Sequence, residues 1–404
     1  MDKHKISRRD FIGYSTGIAC TALLPTLTPN LLAAAEKKAA DLPVLKGYKP
    51  GVSSGWIPKG DHEKSYDLVK KVIEASTDFS WLSKGDSVFI KLALNSGFEF
   101  PATTDPWMLD ATIKILKEKG AGEIYVGDKS GVENVHWSEI EERGSSRELC
   151  KSSTLLKVIK DNEVNPVFFE EDGLDSYIAT APEGSHHWKQ PMMIPAIIKK
   201  MDHIIYMPRV SSHLLGDITS GFKIGVGFLR DDSRLAFHQG GDNFYAMYEE
   251  INHVPEIKSK LRLTITSGRK VLSTFGPDKG FISEPDYGLI FATEDLLANE
   301  LLSYAWLQWN REFNTSAFSL ATIGNITRFR SLLNKFFLGQ IWKDDMESET
   351  PGLPMYRPGN IYNHPSIVNF LSRKGGRPEK IIWNQINKIP DKPVSSYIKK
   401  QIMA

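Results

Sequence analysis

The stretch Asp86–Leu94 (DSVFIKLAL) constrains the fold most. It is a nearly continuous apolar run bounded by Lys84-Gly85, the pattern of a strand buried on both faces. Pro106 then stands at the first turn of a helix whose apolar side is Leu109, Ile113 and Leu116, and Gly120 stops it. Glu123–Gly127 (EIYVG) is a second short strand. Strand, helix and strand within some forty residues make a βαβ unit, which requires a parallel sheet and a right-handed crossover. Further runs extend the pattern: Pro166–Glu170, His203–Met207, Leu261–Thr266 and Gly288–Ala292 as strands, and Asp67–Ala75, Glu294–Trp309 and His364–Phe370 as helices. The expected fold is α/β, a mostly parallel sheet with helices on both faces and irregular insertions near 130–200 and 228–260.

The expected organisation has four parts. Residues 1–35 form a targeting segment, 36–84 a lead-in with one helix, 85–310 the α/β core, and 311–404 a C-terminal extension of helix and loop. The first segment carries Ser7-Arg8-Arg9-Asp10-Phe11-Ile12, the twin-arginine export pattern. An uncharged, moderately apolar stretch follows, and Ala33-Ala34-Ala35 supplies small residues for cleavage. Pro25 and Pro29 and the polar residues between them argue against a stable membrane span. Export through the twin-arginine machinery to the periplasm is the expectation. The 50 Lys+Arg against 49 Asp+Glu exclude the basic excess of a general nucleic-acid binder. Two cysteines, Cys20 and Cys150, exclude a cysteine-ligated iron–sulfur cluster and a disulfide framework.

Chemistry-bearing residues collect in two places. Lys91 and Asn95 fall at the C-terminal end of the first strand, where open α/β sheets bind ligands. A lysine inside an apolar strand must find a ligand or a buried counter-ion. His213, Thr219, Lys223, Arg230, Arg234 and His238 follow one another in the middle of the chain. Imidazoles carry protons near neutral pH and ligate metals, and arginines grip carboxylates or phosphates. Each has a plainer alternative: structural histidines, a solvated lysine, a salt-bridged turn at 230–234. His186-His187 reads as a surface loop, His364 as the start of a helix, and Cys150 as a structural thiol. Gly127–Gly131 lies where a ligand loop belongs but lacks nucleotide-binding fingerprints. Gly276–Gly280 reads as a turn that gains interest only if it closes over the Lys91 strand.

Lys91–Asn95 with Ala102–Pro106, Met207–His213 through Thr219 and Lys223 to His238, and Gly276-Pro277 with Asp295–Ala298 resemble the family catalogued as domain of unknown function 362. Many members have Lys-Thr-His where this chain has Ser211-Ser212-His213, and many carry a ferredoxin-like cysteine module that is absent here. The segment around His213, Lys223 and His238 is also similar to the core signature of the lactate-racemase family. By position, that resemblance implies that Lys223 tethers a nickel-pincer nucleotide, His238 ligates the metal and His213 transfers protons; imidazole chemistry by itself keeps His213 as a second candidate ligand. The combined expectation is an exported enzyme acting on a small anionic metabolite with a divalent metal or organometallic cofactor, as isomerase or oxidoreductase. Lys91, His213 and Lys223 would be catalytic, and Asn95, Thr219, Arg230 and Arg234 would bind substrate. The alternatives are a non-catalytic periplasmic anion-binding protein and an accessory factor of an exported redox enzyme.

Overall fold

The computed structural model describes residues 38–316, 338–342, 360–389 and 392–403; the expected export segment and part of the expected C-terminal extension lie outside these. The sheet strands are β1 (Gly51–Pro58), β2 (Val88–Leu92), β3 (Ile124–Asp128), β4 (Asn165–Phe168), β5 (His203–Met207), β6 (Arg209–His213), β7 (Asp217–Thr219), β8 (Leu261–Leu272), β9 (Tyr287–Thr293) and β10 (Ile382–Gln385). The main helices are α1 (Tyr66–Glu74), α2 (Pro106–Glu118), α3 (Ser146–Ser152), α4 (Leu155–Asp161), α5 (Asp231–His238), α6 (Leu296–Phe313) and α7 (Pro365–Lys374).

The main sheet runs β10-β1-β9-β8-β5-β2-β3-β4. Only β9 is antiparallel to its neighbours β1 and β8; the other pairings along this path are parallel. The apolar runs are continuous because both faces are covered. In β2, Val88, Ile90 and Leu92 join a core with α1, α2 and α4. Phe89 points the other way, into a core with α6 and α7, as the two-residue period of a strand requires.

Helix starts follow their caps. Asp105 accepts from Trp107 N ahead of Pro106, Asp295 accepts from Leu297 N and Ala298 N, and His364 accepts from Ser366 N ahead of Pro365. Gly120, at φ +95°, turns the chain out of α2.

Two segments differ from expectation. The irregular lead-in contains β1, a sheet strand despite its glycines and serines, because β9 and β10 pair with it on either side. The residues after α7 return to the sheet as β10, which no apolar run announced. The insertions hold short helices and the two-stranded ribbons His136–Trp137 with Glu142–Arg143 and Tyr177–Thr180 with Met192–Pro195.

From β2 the chain crosses through α2 to β3 on one side, whereas β5 lies on the other side and leads on toward β8. The two directions part between β2 and β5, the switch point at whose carboxyl ends open α/β sheets hold their ligand crevice. Thr104 spans it: its Oγ1 accepts from Ala93 N (2.8 Å) and donates to Met207 O (2.7 Å).

Candidate functional site

Lys91 leaves β2 on the Phe89 side and is fully buried. Its Nζ donates to Asp128 Oδ1 (2.5 Å) and to Leu92 O (2.8 Å). Asp128 also accepts from Leu94 N (2.8 Å) and Lys129 N (2.7 Å), which fixes both its oxygens. Burial pushes the Lys91 amine down to about 8 against the pull of Asp128. Gly227 sits on this pair: a Cβ there would lie 2.1 Å from Asp128 Oδ1 and 2.2 Å from Lys91 Nζ. The lysine-bearing strand therefore carries a buried ion pair, the structural alternative open from sequence.

A second buried pair lies alongside. Lys129 Nζ donates to Asp231 Oδ1 (2.5 Å), and Asp231 Oδ2 accepts from Trp137 N (2.7 Å). Burial, then Arg234, pushes Lys129 down to about 8. Arg234, on α5, spends its donors on backbone carbonyls: Leu229 O (2.9 Å), Lys129 O (2.8 Å), Gly227 O (3.2 Å) and Ser130 O. It stitches the loop after β3 to the turn before α5, while its charge stays without a contacting carboxylate among the described residues.

Lys223 rides on the single helical turn Gly221–Ile224, which follows the β6–β7 hairpin. Glu300 Oε2 accepts from Phe222 N (3.1 Å) and Asn252 Nδ2 donates to Phe222 O (2.8 Å), so this turn is clamped from behind. The half-buried Lys223 side chain crosses the hairpin tip: a Cβ on Gly216 would lie 3.0 Å from Lys223 Cε. Its Nζ has no hydrogen bond or ion pair among the described residues. Burial, then Arg209 and Arg234, pushes this amine down to about 7. Arg209, at the start of β6, is buried; its Nη2 donates to Pro277 O (3.2 Å) and its Nε has no partner among the described residues. Burial lowers the guanidinium to about 10. Lys91 and Lys223 share Arg209 and Arg234 as charged neighbours.

His213 ends β6 at the same hairpin. Its Nδ1 accepts from Leu215 N (3.2 Å) and Gly216 N (3.1 Å). That places the proton of the neutral ring on Nε2, a donor's arrangement that does not fit the expected role as a metal ligand. His238, at the end of α5, pairs Nδ1 with Arg234 O (2.7 Å). Burial pushes it down to about 3, so the ring is neutral, with Nδ1–H donating and Nε2 left as an acceptor. Among the described residues no cluster of three His, Cys, Asp or Glu side chains has metal-holding geometry.

Asn95 ties the loops after β2 and β3 together through its carbonyl, which accepts from Gly131 N (3.2 Å) and Asn134 Nδ2 (3.1 Å). Thr219 is buried opposite Ser211 in the hairpin. Arg230 does not join the cluster. It caps α5 from outside, bonded to Asp232 (2.6 and 3.1 Å) and Leu174 O (3.2 Å), the salt-bridged turn rather than a substrate grip. Cys150 is buried in α3, its thiol pushed up by burial to about 12, which makes it inert. His187 hydrogen-bonds the buried Glu250 (2.7 Å) through Nδ1.

The residues not assigned from sequence are Asp128, Lys129, Arg209, Asp231 and Asp278. Asp278 arrives on the Gly276–Gly280 turn, which does close over the crevice. Leu214 N donates to Gly276 O (3.3 Å), and the Lys279 amine lies 5.4 Å from the Phe98 ring centre, on the loop after β2. Burial raises the Asp278 carboxyl against the pull of Arg209 and Ser96, and its Oδ1 is buried without a partner among the described residues. The available signal was positional: charged residues directly after the apolar strands β3 and β5, and in a Gly-Pro-Asp-Lys-Gly turn. An open groove of about 710 Å³ lies at the other end of the sheet, beside Leu261 at the start of β8, with Glu74, Asp78 and Glu294 on its walls. It contains none of these residues.

The central stretch of the chain, residues 88–304, matches the family model described as "Domain of unknown function (DUF362)". The chain belongs to this family. Among solved structures, this DUF362 protein is similar to the lactate racemase apoprotein of Thermoanaerobacterium thermosaccharolyticum, at 12% identity and TM-score 0.38 over 88% of this chain and 87% of that chain. It is also similar to a Thermotoga maritima protein, at 14% identity and TM-score 0.31 over 52% of this chain and 51% of that chain. No curated protein matches it. Among the described residues no helix is long and apolar enough to cross a membrane.

Proposed function

We propose that this DUF362 protein is an exported, periplasmic enzyme that acts on a small carboxylate in the crevice between β2 and β5, as an isomerase or oxidoreductase. One observation carries the reading. Lys91 and Lys129 have contacting carboxylates, whereas Arg209, Lys223 and Arg234 have none within ion-pair distance among the described residues. Asp278 pulls on both Arg209 and Lys223 but forms an ion pair with neither among the described residues; the excess of buried positive charge is costly, and a small anion received at the switch point of the sheet relieves that cost. Arg209 supplies an unused Nε–H for a carboxylate oxygen, Lys223 an unbonded amine, and His213 a ring oriented by two backbone N–H groups. The twin-arginine pattern at Arg8-Arg9 supports export through that machinery.

The resemblance to the lactate-racemase signature implies an organometallic group held here. A metal site built from several protein ligands does not fit the described residues, but a tethered group does. Lys223 offers a free amine for the tether, and His238 offers Nε2 as a single ligand. Such a group would supply hydride or electron chemistry that side chains lack.

Isothermal titration with pyruvate, lactate, acetate, inorganic phosphate and the neutral lactamide tests the reading. Carboxylates are expected to saturate one site and lactamide to show no heat. Turnover of the bound acid, read as exchange of carbon-bound protons in heavy water by NMR and as inversion or oxidation of a single lactate enantiomer by chiral chromatography, then separates an enzyme from its rival, a periplasmic anion-binding protein or an accessory factor of an exported redox enzyme. Binding with none of these conversions supports the rival, and absence of saturable carboxylate binding overturns the reading.

A further inference from the structure

We propose that Lys223 is an imine-forming amine whose carbonyl partner is a small oxo acid, with the acid's carboxylate held by Arg209. This deepens the carboxylate reading above and rests on it, and it takes the place of the tethered group at Lys223, since one amine cannot serve both. Among the described residues the Lys223 amine is bonded to nothing, unlike Lys91 and Lys129, each of which is spent on an aspartate at 2.5 Å. Its stem is confined rather than free. Gly216 leaves room for it on one side. The turn beneath it is clamped by Glu300 and Asn252, and Ser220 Oγ bonds Ser303 Oγ at 2.6 Å. A rigidly presented, unpaired amine is what attack on a carbonyl requires.

After burial, the Arg209 charge does most to lower the Lys223 amine, and the Arg209 Nε lacks an acceptor among the described residues. A 2-oxo acid carries its carbonyl one bond from its carboxylate, so an acid held on that guanidinium offers the carbonyl to the amine. Burial and the neighbouring cations hold the amine at about 7, so a substantial share is unprotonated and nucleophilic near neutral pH.

The chemistry closes on itself. The unprotonated Nζ forms a C–N bond at the carbonyl carbon as the C=O π bond breaks, and the oxygen takes up one of the amine's two protons. The carbinolamine then loses that oxygen as water with the amine's second proton, leaving a C=N bond to Lys223. No oxidant or reductant is consumed. An iminium beside a carboxylate acidifies the neighbouring C–H bonds, which is the entrance to proton-transfer chemistry.

The test is reductive trapping on the full chain. Protein is incubated with pyruvate and sodium borohydride, digested, and mapped by mass spectrometry. The expected result is one reduced pyruvyl group per chain, on Lys223. Acetone at the same concentration should give far less, and Lys223→Arg none. Should Lys223→Arg fail to fold, the wild-type peptide map and the acetone comparison decide alone. An absent adduct, one spread over surface lysines, or a Lys223 already carrying another group overturns the proposal. Equal trapping of acetone and pyruvate overturns the oxo-acid assignment. Saturable binding of lactate, which has no carbonyl to trap, persists if only the imine is wrong and disappears if the carboxylate site itself is wrong.

Discussion

Replacing Lys223 with methionine should stabilise the protein, and only over a defined pH range. The folded-state amine is held at about 7 against its ordinary 10.5. At about 1.4 kcal/mol per pH unit that difference corresponds to about 5 kcal/mol. Water reaching the half-exposed side chain reduces this to about 2 kcal/mol. Below about pH 7 the lysine is protonated in both the folded and unfolded chain, and the folded state bears the whole penalty. Between about 7 and 10.5 the unfolded chain binds more protons, so stability rises with pH. Above 10.5 the amine is neutral in both states and the penalty is gone. Lys91 and Lys129 respond in the same direction, but they are present in both proteins and cancel in the difference. Urea unfolding of wild type and Lys223→Met at about pH 6 and about pH 10.5 should therefore give a mutant more stable by about 2 kcal/mol at the lower pH, and no difference at the higher. A mutant equally or less stable at low pH would show that the amine is well solvated, and the argument from excess buried positive charge would fail.

Gly227→Ala forces a methyl group onto the Lys91–Asp128 pair, whose atoms are pinned by Leu92, Leu94 and Lys129 and cannot step aside. A loss of about 3 kcal/mol in denaturant unfolding is expected, the cost of disrupting a buried pair; a loss below about 1 kcal/mol would mean the pair relaxes freely. Arg209→Lys should weaken carboxylate binding about tenfold, or about 1.4 kcal/mol, while Arg230→Lys leaves it unchanged by titration calorimetry. The reverse ranking would move the anion to the 230–232 turn. In folded protein treated with iodoacetamide, peptide mapping should find Cys150 unmodified, and modified once urea is added. Rapid labelling of the native chain would contradict its burial.

The fold was legible wherever a strand was buried on both faces, because β2, β5 and β9 then had to be apolar without interruption. Helix starts were legible through Pro106 and Pro365. β1 was not, since Gly51, Ser53, Ser54 and Gly55 carry little strand propensity, and only its two neighbours make it one. Lys91 stood out as a charge inside an apolar run. Its partner could not be read, because Asp128 is brought to it across 37 residues by the parallel pairing of β2 and β3. Arg230 and Arg234, four apart, look like one helical face. Yet Arg230 is the non-helical cap of α5, at φ −66° and ψ 158°, so its side chain splays outward while Arg234 turns inward. Arg209 and Asp278 are 69 positions apart, and only the closure of the Gly276–Gly280 turn makes them neighbours.

The outer strand β10 pairs in parallel with β1, so one edge of the sheet joins residues 382–385 to residues 51–54. During synthesis β1 leaves the ribosome some three hundred residues before its outer partner exists. Through that interval its backbone N–H and C=O groups on that side stay open to any passing strand, the hazard of an uncovered edge. Completion of the sheet is thus timed by nearly the whole length of translation. A chain shortened before residue 382 would keep its crevice residues but expose a permanent pairing edge, and should betray itself by association rather than by loss of the site.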